Sequence, residues 1–232
     1  MLSALDSDLL AANRCLFGGG TAIALRYGEY RESVDIDFLV SDIGGYRQLR
    51  QLLTSRQGLQ ALARSGGEVR QAADLRADQY GIRSAVSVDG IDIKFEVVLE
   101  ARIELAMAGP EDQICGIATL TPTDMAASKL LANSDRWADD SVFSRDLIDL
   151  AMMRPRTELL NRAATKARTA YGDSIDADLI KAIEALLGRP NQLDRCMEVL
   201  KMKPAVAPAS LRQYIKALLP RTPRIKDSGV SS

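Results

Sequence analysis

The sequence predicts an α+β fold with a mixed sheet. Strands and helices mix over residues 1–120, and helices alone follow over 121–219. Three observations predict this. Two alternating apolar runs flank Asp89-Gly90 in QYGIRSAVSVDGIDIKFEVVLE, a strong short-range signal for a hairpin. VDIDFLV is rich in the β-branched and aromatic residues that suit a pleated, half-buried surface. After Pro122 the strand pattern gives way to segments with helical apolar spacing.

In chain order, Leu5, Leu9, Leu10 and Ala12 predict an amphipathic helix over 2–13. CLF leads into three glycines, and TAIALRYG reads as a short helix ending near Gly28. VDIDFLV is a strand and SDIGG a turn. Leu49, Leu52, Leu53, Leu59 and Leu62 predict helix over 46–65, with a break near Gly58. Beyond the hairpin, IELAMAG and ICGIATLT read as further short strands separated by Gly109-Pro110. TDMAASKLLANSDRW, with Thr123 as its N-cap, and SRDLIDLAMM read as the first helices of the second part. TELLNRAATKARTAYG, IDADLIKAIEALLG, NQLDRCMEVLKM and ASLRQYIKALL predict four more. The last residues, 220–232, are polar and Pro-containing and read as a disordered tail.

Composition narrows the chemistry. The chain has 232 residues, 47% of them hydrophobic and 26% charged, within the range of soluble domains. No run approaches the ~18 apolar residues of a membrane span, and no secretory signal is visible, so the expected compartment is the cytoplasm. Cys15, Cys115 and Cys196 are scattered and read as buried, reduced thiols. There are 0 histidines, which removes Ser-His-Asp and Cys-His nucleophiles, His-ligated zinc and a His general base. Carboxylates, Lys, Arg, hydroxyls and oxygen-bound metals remain. From Arg154 onward 15 Lys/Arg stand against 8 Asp/Glu, while the rest holds 15 against 23. That asymmetry suits either a polyanionic partner for the basic part or solvated helix faces.

The stretch GGGTAIALRYGEYRESVDIDFLV, residues 18–40, concentrates the signal. Asp35 and Asp37 are two apart in a strand, so they share a face at a Cα spacing of about 7 Å. Like charges so placed repel unless a cation lies between them, and hard oxygen donors suit Mg²⁺ or Mn²⁺. Gly18, Gly19 and Gly20 precede a helix, where backbone N–H groups and the helix dipole favour a phosphate, with Thr21 as a further donor. Ser33, on the face of the aspartates, and Arg31, from the preceding turn, suit an anionic ligand. The strand IDIKFEVV offers a third acid, and the residues alone leave Asp92 and Glu96 as rivals.

Gly19, Gly20, Thr21, Ala22, Arg31, Ser33, Asp35, Asp37 and Phe38 together resemble the first motif of nucleotidyltransferase-fold toxins of the AbiEii/AbiGii type, of the polymerase-β-like superfamily. These belong to bacterial abortive-infection and type IV toxin–antitoxin systems. The resemblance extends over about residues 14–153. IKFEVV resembles that family's Lys/Glu strand, which favours Glu96 over Asp92 as the third acid. TDMAASKLLANSDRW and SRDLIDL resemble its helical motifs and bring Lys129, Arg136, Arg145, Asp146 and Asp149 into view. Lys129 and Arg136, seven apart, share a helix face. Asp149 also suits an i, i+4 pair with Arg145.

The resemblance implies a nucleotidyltransferase core over 1–120. It implies Asp35, Asp37, Lys129 and Asp146 as catalytic residues, and Asp35, Asp37 and Glu96 as metal ligands. Gly19, Gly20, Thr21, Arg31, Ser33 and Lys129 would bind the nucleotide. The implied reaction is Mg²⁺-dependent (or Mn²⁺-dependent) transfer from a nucleoside triphosphate to RNA, by resemblance the 3′ end of tRNA, which would block translation. A cognate antitoxin encoded nearby is the implied partner. Two rival readings stand beside it: the same transfer to a protein hydroxyl or an aminoglycoside-like small molecule, and a nucleotide-binding module without turnover.

Overall fold

The computed structural model describes residues 1–220; the expected tail lies, from residue 221, outside the described residues. The sheet is five-stranded and mixed. β1 (Leu16–Gly18) pairs antiparallel with β2 (Ile36–Val40), and β2 runs parallel to β5 (Ile91–Leu99). β4 (Gly81–Val88) and β3 (Arg76–Ala77) complete the order β1-β2-β5-β4-β3, both antiparallel to their neighbours. The β4–β5 hairpin turns on Asp89 (φ 51°) and Gly90 (φ 80°), the positive angles that an Asp-Gly turn supplies.

Alternation along β2 separates core from site. Ile36, Phe38 and Val40 are buried, and Phe38 stacks between Phe17 and Phe95 at centroid distances of 5.6 and 5.8 Å. Burying each such ring is worth about 1.5–3 kcal/mol, enough to pin the register. With the register pinned, Asp37 stands opposite Gly18 on one side and Glu96 on the other.

The helices follow from caps and apolar stripes. α2 (Gly19–Arg26) leaves directly from the glycine turn. α3 (Ile43–Leu53) starts where a turn is expected: Asp42 accepts a hydrogen bond from the Gly45 N–H, and Gly45 is needed because a Cβ there would meet the Asn13 backbone. The segment expected as one helix over 2–13 is a 3₁₀ turn, Leu2–Ala4, followed by α1 (Ser7–Ala12), because Asp6 caps the second piece. The helix expected over 46–65 ends with α3, and a separate 3₁₀ turn covers Gly58–Leu62.

The segment 103–109 forms no regular element and pairs with no strand among the described residues. Its amides are taken by side chains: Leu105 N–H donates to Ser41 Oγ and Ala106 N–H to Asp124 Oδ2. The segment around Cys115 is a small hairpin, β6 (Gln113–Ile114) and β7 (Ile117–Ala118). Cys115 sits in its tight turn and is exposed, unlike the buried Cys15 and Cys196.

α4 (Pro122–Arg136) is capped by Thr121, not Thr123. The Thr121 hydroxyl accepts from the Asp124 N–H, and Pro122 takes the first helical position, where its missing N–H is harmless. α4 packs against α5 (Arg145–Met152), α6 (Thr157–Tyr171) and α7 (Ser174–Gly188), and α8 (Gln192–Val199) and α9 (Pro208–Ala217) close the bundle. Among the described residues, no helix is long and apolar enough to cross a membrane.

Candidate active site

The glycine turn is built for close approach. Gly19 has φ +68°, and a Cβ on it would fall on the Asp37 carboxylate; one on Gly20 would fall on the Arg31 guanidinium. Only glycine at both positions lets the turn lie against charged side chains. Gly19, Gly20, Arg31, Ser33, Asp35 and Asp37 line one cleft of ≈ 480 Å³, a size suited to a small ligand. Thr21, expected as a phosphate donor, lies under the turn at 8% exposure, and its hydroxyl is 2.9 Å from Ser33 Oγ. It holds Ser33 and does not line the cleft.

Asp37 and Glu96 lie on neighbouring strands, and Asp35 just precedes the first of them. Glu96 is the register partner of Asp37, whereas Asp92 stands farther along β5 opposite Ser87. Asp35 sits one residue ahead of β2 and has no ion-pair partner among the described residues. Lys94, two residues before Glu96, places Nζ 2.5 Å from Glu96 Oε2 and 3.9 Å from Asp37 Oδ1. Arg83 Nε donates to Glu96 Oε1 at 2.7 Å. Burial pushes the Asp37 carboxyl above its ordinary value; Asp35 and Glu96 add to this, and Lys94 and Lys129 oppose it.

Among the described residues, no three acidic, Cys or His side chains close around one point. The donor set nonetheless fits a hard divalent cation. Its donors are all carboxylate oxygens, Asp35 and Glu96 both act on the Asp37 carboxyl, and the Lys94 ammonium already stands against two of the three.

Behind the acids lies a buried chain of alternating charges. Lys129 Nζ is 2.9 Å from Asp146 Oδ1 and 2.7 Å from Asp149 Oδ2. Arg31 grips Asp149 with Nε at 2.7 Å and Nη2 at 2.9 Å, and the Tyr30 hydroxyl donates to the same carboxylate at 2.6 Å. Arg136 holds Asp146 through Nε at 2.6 Å and Nη2 at 3.0 Å, so Lys129 and Arg136 do share a face, as their spacing predicts. Burial would push both aspartates up. The Lys129 charge, with Arg136 at Asp146 and Arg31 at Asp149, outweighs it and holds both carboxyls below their usual range. Burial would likewise push Lys129 down, but Asp149 and Asp146 raise it, so the ammonium stays charged.

Lys129 and Asp146 therefore line the cleft on its helical side, facing Asp37 and Glu96 on the sheet side. Asp149 is 0% exposed and pairs with Arg31 and Lys129, not with Arg145. Sequence reasoning missed it as the hub of the cluster, and missed Tyr30 and Lys94. The available signal for the hub was charge: a buried Arg31 in the turn before β2 requires a buried acid from elsewhere in the chain.

The family model described as nucleotidyl transferase AbiEii toxin, type IV TA system, matches residues 1–224. Among solved structures, a candidate nucleotidyltransferase from H. pylori is 15% identical, with 91% of this chain and 89% of that chain covered at a TM-score of 0.47. JHP933 from Helicobacter pylori is also 15% identical, with 91% and 86% covered at 0.45. No curated protein matches the chain.

Proposed function

Since this chain belongs to the AbiEii nucleotidyl transferase toxin family of type IV toxin–antitoxin systems, we propose that it transfers a nucleotide from a nucleoside triphosphate to an RNA acceptor, the 3′ end of tRNA, in the cytoplasm. The observation that carries this reading is the meeting in one cleft of a glycine turn, the three acids Asp35, Asp37 and Glu96, and a buried lysine. Blocking that end of tRNA would stop aminoacylation, and an antitoxin would restrain the activity.

In this reading the Gly19-Gly20 turn brings backbone close to the phosphates, and Arg31 and Ser33 hold its far wall. Asp35, Asp37 and Glu96 would hold Mg²⁺ or Mn²⁺. Such a cation, when bound, neutralises phosphate charge and favours departure of pyrophosphate. Lys129 adds a fixed positive charge that Asp146 and Asp149 keep in place. Asp146, clamped by Arg136 and Lys129, orients that charge, and the same two cations hold its carboxyl below the usual range. Positioning and charge neutralisation carry the catalysis, which needs no histidine.

The test incubates the protein with each labelled nucleoside triphosphate, Mg²⁺ and total RNA. Label in RNA, lost in Asp37→Asn, is expected. Label only in protein or in a small molecule, or no label under any combination, would overturn the choice of acceptor or the transfer itself.

A further inference from the structure

The cations of the cleft are not equivalent. Arg31 is spent on Asp149, Lys94 on Glu96, Arg102 on Glu100 and Asp135, Lys129 on Asp146 and Asp149, Arg136 on Asp146, and Lys201 on Glu32. Arg145 lines the same cleft and has no carboxylate or hydrogen-bond partner among the described residues. Exposed Asp139 feels its charge without closing an ion pair. A guanidinium presents a planar fork of donors that matches phosphate oxygens bidentately, and in a half-buried position those donors gain from an anionic partner.

The turn that delivers Arg145 is costly to form. Phe143 (φ 50°) and Ser144 (φ 51°) both take the left-handed region, and Arg145 follows as the first residue of α5, next to Asp146. The adjacent Asp146 is fully occupied by Lys129 and Arg136, so it does not draw Arg145 in. Asp35, which lines the same cleft, is likewise without an ion-pair partner among the described residues. The cleft thus leaves one carboxylate and one guanidinium uncompensated, which complements a ligand carrying both a cation and phosphate.

We propose that Arg145 is the phosphate-binding arginine of this cleft. It contacts phosphate oxygens directly, while Arg31, Lys129 and Arg136 hold the site's frame. The inference rests on the nucleotidyl-transfer reading above and adds a residue to it. Phosphate could come from the triphosphate of the nucleotide or from the backbone of the acceptor, and two binding arms separate them.

The experiment measures binding by calorimetry to the full chain, with Ca²⁺ in place of Mg²⁺. The probes are the four nucleoside triphosphates, the matching nucleosides, and a short single-stranded RNA. Arg145→Gln should weaken the preferred triphosphate, or the RNA, about 10-fold or more, as loss of a charge-assisted bidentate contact implies. The nucleoside should bind unchanged, and Arg145→Lys should recover part of the loss through its point charge. The thermal melt of Arg145→Gln should match wild type, because no internal partner is lost. Loss in the triphosphate arm alone assigns the nucleotide tail, and loss in the RNA arm alone assigns the acceptor. Equal binding of both probes by wild type and Arg145→Gln overturns the proposal while leaving the transfer reading intact. A wild-type chain that binds neither probe overturns both.

Discussion

Replacing Asp149 by Asn should be one of the most damaging conservative changes in this protein. The substitution keeps the volume, so no cavity opens. It removes the one charge that compensates Arg31 and shares Lys129, and it turns an acceptor that takes four hydrogen bonds and ion pairs into an amide. Those four come from the Tyr30 hydroxyl at 2.6 Å, Arg31 Nε at 2.7 Å, Arg31 Nη2 at 2.9 Å and Lys129 Nζ at 2.7 Å. Lys129 retains Asp146, but Arg31 retains only the Glu32 carbonyl at 2.8 Å. With side-chain exposures of 6%, 8% and 0% for Arg31, Lys129 and Asp149, solvent does little to screen the loss.

Breaking a buried pair by removing one partner costs about 3–5 kcal/mol, against about 5–15 kcal/mol for a whole domain. At about 2–4 °C per kcal/mol for a chain of this size, the melting temperature should fall by about 6–20 °C. Circular dichroism melts read this directly. The pH dependence adds a second check. A carboxyl whose folded-state value is depressed contributes its stability above its unfolded value, near 3.9, and loses it as the pH falls through the folded value. The gap between wild type and Asp149→Asn should therefore stay open from neutral pH down to about 4 and close only below that. A fall of less than about 3 °C at pH 7 would mean that solvent, and not Asp149, compensates Arg31.

Three further outcomes follow from the same geometry. Asp37→Asn should abolish transfer yet raise the melting temperature by about 1–3 °C, because a carboxyl whose value is raised by burial opposes folding when ionised; a lowered melting temperature would contradict this. Lys94→Met should tighten Mn²⁺ binding about 2–5-fold by electron paramagnetic resonance, since a half-exposed ammonium that competes for Glu96 is removed, and unchanged or weaker binding would count against a competing role. Gly19→Ala should cost more than about 1 kcal/mol in urea unfolding, because φ +68° and the Asp37 carboxylate both exclude a Cβ; a neutral result would mean that the turn relaxes freely.

Local pattern made the sheet legible and long-range pairing did not. β2, β4 and β5 were readable because period-2 alternation and the Asp89-Gly90 turn are contained in a few consecutive residues. The glycine turn and the Asp35/Asp37 pair were readable for the same reason. The start of α3 was not, because Gly44 and Gly45 look like a turn until the Asn13 backbone is seen pressed against Gly45. The segment 103–109 alternates like a strand, but Ser41 and Asp124 take its amides, and no local feature announces that. In the site, the residue types were visible and their partners were not. That Thr21 serves Ser33, that Lys94 stands near Asp37, and that Asp149 gathers Tyr30, Arg31 and Lys129 all depend on contacts between residues in different elements of the chain.

The proposed transfer of a nucleotide onto the 3′ end of tRNA can be read by mass spectrometry of purified tRNA after incubation with the protein, Mg²⁺ and each nucleoside triphosphate. The wild-type protein should make tRNA heavier by the mass of an added nucleotide, with pyrophosphate released in step, and Asp37→Asn should give neither product. Unchanged tRNA with all four triphosphates, or an equal mass gain with Asp37→Asn, would contradict it.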